Sequence, residues 1–61
     1  MSIPKFWIES PDDEVIELFV GELLVGRLTH EEHGWDGMKA GRDLFKKVAE
    51  TLGAAFEQRF A

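Results

Sequence analysis

The stretch from Val15 to Thr29 constrains the fold of this chain more than any other. Its apolar residues Val15, Ile16, Leu18, Phe19, Val20, Leu23, Leu24, Val25 and Leu28 scatter around a helical wheel. A surface helix needs a one-sided stripe, and this stretch has none. Ser10-Pro11-Asp12-Asp13-Glu14 resembles a helix start, with a serine cap, a proline in the first turn and acids on the helix dipole. Against it, Gly21 and Gly26 would each weaken a helix interior by about 1 kcal/mol. A hairpin fits better, because Val20-Gly21-Glu22-Leu23 matches a two-residue type II′ turn with glycine at the first central position.

Folding there predicts Val20 opposite Leu23, Leu18 opposite Val25, Ile16 opposite Arg27 and Glu14 opposite Thr29. One face then carries Ile16, Leu18, Val20, Leu23 and Val25. The other carries Val15, Phe19, Leu24 and Leu28, diluted only by Glu17 and Gly26. Upstream, Ile3 to Glu9 reads as a first strand that reaches the second through a Ser10-Pro11-Asp12-Asp13 turn.

After an acidic, glycine-rich loop from Glu31 to Gly37, Met38, Leu44, Phe45, Val48, Ala49, Leu52, Ala55, Phe56 and Phe60 fall on one arc of a helical wheel. Lys39, Asp43, Lys46, Lys47, Glu50 and Glu57 fall on the other. Asp36 is the natural N-cap. Gly53 could end the helix, but the coherent arc favours continuation to Phe60. The expected fold is α+β: a three-stranded antiparallel sheet packed on one long C-terminal amphipathic helix, βββα. With 61 residues the chain makes a single domain, 1–61, whose core is thin because so short a chain buries only about 60% of its unfolded surface. One helix covers one side of a sheet. The second apolar face, with Phe6 or Trp7 and with Trp35, is therefore expected to be covered by a partner subunit, by the chain ends or by a target protein.

Charge is distributed unevenly. Residues 1–36 hold nine acids against Lys5 and Arg27, a balance of −7, whereas 37–61 hold three acids against five cations, a balance of +2. The predicted register gathers Asp12, Asp13 and Glu14 with Glu31 and Glu32 at the open end of the hairpin, beside His30, with His33 and Asp36 a few residues on. Such an end suits a basic partner, and it also suits plain solubility.

Other chemistry finds little to build on. His30-Glu31-Glu32-His33 spaces its histidines by three, whereas a zinc-protease helix needs four. What is left is a His30/His33 site for zinc, nickel or manganese, a minor alternative. The chain has no cysteine, and no cofactor is expected. Hydroxyls are confined to Ser2, Ser10, Thr29 and Thr51, and no nucleophile–base pair is apparent, so an enzyme is not expected. Lys39, Arg42, Lys46 and Lys47 share a helix side interrupted by Asp43, Glu50 and Glu57, and the acidic half repels polyanions. Direct nucleic-acid binding and membrane association are not expected. Neither a membrane span nor a leader is legible, and the reading is cytoplasmic.

The expectation is a non-enzymatic protein-binding module that docks on a basic, nucleic-acid-binding surface through Asp12, Asp13, Glu14, Glu31, Glu32 and Asp36, with Trp7 and Trp35 as candidate aromatic anchors, Trp35 between Gly34 and Asp36 fitting a lid on the core better than an anchor. In size and charge the chain resembles the small stand-alone inhibitors that phages use against host defence, anti-CRISPR proteins among them. No motif carries that resemblance, and it assigns no site residues. The alternative is a homodimer that pairs through the uncovered sheet face.

Overall fold

The computed structural model describes residues 2–60. Strands β1 (Phe6–Asp12), β2 (Val15–Val20) and β3 (Leu23–Thr29) precede helix α1 (His30–Leu52) and strand β4 (Phe56–Phe60). The four strands form one mixed sheet in the order β3-β2-β1-β4. The pairs β1–β2 and β2–β3 are antiparallel, whereas β4 lies parallel to β1. The fold is α+β with a single helix. Among the described residues no helix is long and apolar enough to cross a membrane.

The hairpin between β2 and β3 turns where the sequence places it, with Val20 opposite Leu23. Gly21 has φ +60°, and among the described residues only glycines have a positive φ, so Glu22 does not. That combination defines the type II′ turn.

Beyond the turn the register departs from expectation. Phe19 pairs with Leu24 but Leu18 pairs with Gly26, leaving Val25 as the extra residue of a bulge. Every later pair moves by one: Ile16 faces Leu28, Glu17 faces Arg27 and Val15 faces Thr29. A one-residue shift exchanges the two faces of a strand. Leu28 therefore enters the core, and Arg27 moves to the open side of the sheet.

The helix also differs from expectation at both ends. It starts at His30, not after a loop ending at Gly37, because Thr29 is the N-cap and its Oγ1 accepts the Glu32 N–H at 3.3 Å. Glu31 and Glu32 then occupy the first turn, where acids favour the dipole. Asp36 is not the cap. Gly34, at φ 70° and ψ 174°, breaks the first turn from the main body of the helix. Downstream, Gly53 in the left-handed region ends α1: its N–H reaches Glu50 O at 3.1 Å, and the Ala54 N–H reaches Ala49 O at 2.9 Å. This is a Schellman closure. Residues 56–60 are consequently a fourth strand and not a continuation of the helix. Phe56 and Phe60 are four apart, a spacing that keeps them on one side of a helix and equally on one face of a strand.

The core is as thin as the length dictates. Phe6, Ile8, Ile16, Met38 and Ala49 are its buried apolar members. Leu18, Leu28, Phe45 and Phe56 pack around Ile8, Ile16 and Met38, and the Phe45 ring lies 5.1 Å from that of Phe6. Of the four strands, α1 packs most closely on β3. Gly41 permits this, since a Cβ there would stand 2.6 Å from a Leu28 methyl. The helix nonetheless crosses the sheet, since Phe45 packs on Phe6 of β1 and on Phe56 of β4, the opposite edge. Its ridge Leu44, Val48 and Leu52 stays exposed, and Phe60, on the far strand, is 71% exposed.

The open face of the sheet is not the apolar surface expected. One row across the strands reads Arg27, Glu17, Glu9, Arg59. Beside it Trp7 stacks on Phe19 with centroids 4.0 Å apart, and the Arg59 guanidinium lies 4.5 Å from the Trp7 ring. The Trp7 indole N–H donates to Gly21 O at 2.7 Å. Aromatic surface on this side is covered from within the chain.

Gly34, within α1, and Gly53, which ends it, both have positive φ and no atom near a would-be Cβ, so substituting them tests backbone conformation alone. Gly53→Ala should lower the unfolding free energy by about 1 kcal/mol, the cost of a side chain in the αL region. Gly34→Ala should cost about 2–3 kcal/mol, because its φ/ψ combination is essentially restricted to glycine. Urea denaturation checks the order, and equal losses would contradict the assigned break at Gly34.

Candidate partner-binding site

The acidic end is held together by one side-chain and one backbone acceptor. Asp12 Oδ1 accepts the Glu14 N–H at 2.7 Å, which fixes the β1–β2 turn. The His30 N–H donates to Glu14 O at 2.9 Å, which holds that turn against the start of α1. Asp12, Asp13, Glu14, Glu31 and Glu32 are all exposed. Among the described residues Asp12, Asp13, Glu31 and Glu32 make no ion pair.

The five carboxylates meet at one end of the molecule but divide between two recesses. Glu14, Glu31 and Glu32 surround the first, with Val15, Arg27, Thr29 and His30. Asp12 and Asp13 line the second, a cleft of about 320 Å³ completed by Ser10, Pro11, Ile16, Trp35, Met38, Lys39, Arg42 and Phe60. Each recess thus contains cationic side chains as well as acids.

Trp35 is 55% exposed, and its ring centroid lies 4.1 Å from that of His30. It does not seal the core. The His30 Nδ1 stands 3.8 Å from Glu14 Oε1, beyond hydrogen-bond reach. Asp36 and His33 lie outside both recesses, and no three His, Asp or Glu side chains among the described residues gather closely enough to hold a metal ion. Trp7 sits on the open sheet face near the hairpin turn, at the other end of β1 from Asp12, and is not part of this site.

Sequence reasoning missed Lys39, Arg42 and Phe60 as members of the site. Lys39 and Arg42 are three apart and follow Trp35 by four and seven residues, the spacing of one helix side. That signal was present in the sequence. Phe60 gave none, because its arrival depends on the crossover that lays β4 beside β1.

Comparison with protein-family models, with curated proteins and with solved structures finds no match for this chain.

On the open face, Glu57 is held below the usual carboxylate range, first by the hydrogen bond from Lys5 and then by that from Arg59. The Lys5 Nζ lies 2.7 Å from Glu57 Oε1, and Arg59 Nε donates to Oε2. A depressed folded-state pKa adds stability that is present above the unfolded value of 4.5 and is lost as pH falls through the folded value. Glu57→Gln should therefore be less stable than the parent at neutral pH, with the gap closing below that carboxylate range. Denaturation at pH 7 and pH 3 checks this. A gap unchanged at low pH would show that the pair does not act through the ionised carboxylate.

Proposed function

We propose that this chain is a non-enzymatic binding protein that docks its acidic end on a basic surface of a partner protein. The observation that carries the reading is the His30–Glu14 backbone bond, which holds two acidic segments from distant parts of the sequence on one edge. Four of the five carboxylates there have no cation partner among the described residues, so their charge is free to act outward. The half-exposed Trp35 beside them supplies the rigid apolar contact that charge alone lacks. Docked on a nucleic-acid-binding groove, such a surface would exclude the nucleic acid, which is the action of a competitive inhibitor of the phage anti-defence kind.

Capture from a host-cell lysate tests this. Proteins retained by the immobilised parent should be lost when Asp12→Asn, Asp13→Asn, Glu31→Gln and Glu32→Gln are combined. They should also elute at about 1 M salt, where the Debye length is about 3 Å. Undiminished retention by the fourfold variant would reject the acidic docking surface.

A second reading, pairing with another copy of the chain, is favoured by a different observation. Leu23, Leu24 and Val25 on the edge strand β3 are 67%, 50% and 49% exposed, and the Leu44, Val48 and Leu52 ridge of α1 is exposed as well. This reading moves the pairing surface from the sheet face to the β3 edge. Sedimentation of the parent should then show a dimer that Val25→Lys dissociates. A monomer at millimolar concentration would remove this reading.

A further inference from the structure

A cleft opens between the Trp35–Arg42 stretch of α1 and the Ser10–Phe60 corner of the sheet, and the residues gathered there are not the ones a solvated surface calls for. Ile16 and Met38, both buried, form the floor of the cleft. Trp35 and Phe60, 55% and 71% exposed, form its walls. Asp12 and Asp13 stand on the β1 side, and Lys39 and Arg42 on the helix side.

Building on the docking function above, we propose that this cleft is the anchor subsite of the docking surface. It takes one aromatic side chain of the partner, from an extended segment in which that residue adjoins a lysine or arginine. The cleft's volume of about 320 Å³ is at the small end of ligand sites, which suits a single ring better than a folded element. Its floor offers an isoleucine and a thioether, and sulfur contacts aromatic rings favourably. Its two exposed rings, Trp35 and Phe60, would lose water against an inserted ring, and aromatic residues contribute strongly to such binding.

The charges fix the neighbours of that ring. Asp12 and Asp13 have no cation partner among the described residues, so a partner cation placed next to the aromatic meets two carboxylates. The Arg42 Nη2 lies 3.4 Å from Asp43 Oδ1, a long contact that leaves its other N–H groups available. With Lys39 it supplies donors for the carbonyl oxygens of an extended peptide backbone. A nucleotide would also find a ring and two cations here, but its phosphates would face Asp12 and Asp13 across the same cleft.

Three acetylated, amidated pentapeptides and AMP serve as probes for proton–nitrogen correlation spectra of the whole chain. The peptides are Gly-Arg-Phe-Arg-Gly, Gly-Arg-Ala-Arg-Gly and Gly-Glu-Phe-Glu-Gly. The phenylalanine–arginine peptide should bind at least about tenfold more tightly than its alanine counterpart and should shift the Trp35 indole and the Met38, Arg42 and Phe60 amides. Phe60→Ala, at an exposed position that the core does not need, should bring the two arginine peptides to equal affinity. Equal affinity for the parent, shifts confined to other residues, no binding by either arginine peptide, or preference for AMP would each overturn the anchor assignment. The docking function is judged separately: arginine peptides that bind equally, and that release when the four carboxylates become amides, would sink the anchor and leave acidic docking standing. Tighter binding of the glutamate peptide would sink both.

Discussion

The close approach of Leu28 to Gly41 fixes how helix α1 meets strand β3, and Phe45 seats the same helix on Phe6 and Phe56 at the other side of the sheet. A chain of this length has one helix to cover four strands, and wherever that helix sits, some apolar surface is left uncovered. A side chain at position 41 would collide with the Leu28 methyls, so the glycine lets the helix settle on β3. With α1 seated there, the Ser10–Phe60 corner opens on one side and the Leu44–Val48–Leu52 ridge is exposed on the other.

That contact depends in turn on the bulge at Val25. Without the extra residue, Leu28 would point to the open face and Arg27 to the core, where an unpaired cation is costly. The bulge also completes the open face, because Arg27 then stands opposite Glu17 and the strands present charged residues around the Trp7–Phe19 stack. A sheet face of this composition stays in water without a covering layer. A single backbone irregularity thus arranges both sides of the sheet.

The sequence made the hairpin, the first strand and the main body of the helix legible because each rests on a local signal: a II′ glycine, a β-rich run and a sustained 3.6-residue period. The rest depends on choices that local signals leave open. Phe56 and Phe60 satisfy helical and strand periods alike, and only the left-handed closure at Gly53 separates the two outcomes. The bulge has no marker beyond Gly26, whose missing side chain leaves room for Leu18. At the site, the meeting of Asp12, Asp13 and Glu14 with Glu31 and Glu32 was legible from the hairpin alone. Their division between two recesses was not, since it depends on where the helix sits over the sheet. Asp36 was misplaced because Thr29 caps the helix seven residues earlier.

The helix position can be measured directly from nuclear Overhauser contacts in the unmodified chain. The account predicts strong cross-peaks from the Leu28 methyls to the Gly41 α-protons and none from the Leu44 or Val48 methyls to Ile8 on β1. Cross-peaks from Leu44 or Val48 to Ile8, with none between Leu28 and Gly41, would place a different face of the helix on the sheet and contradict it.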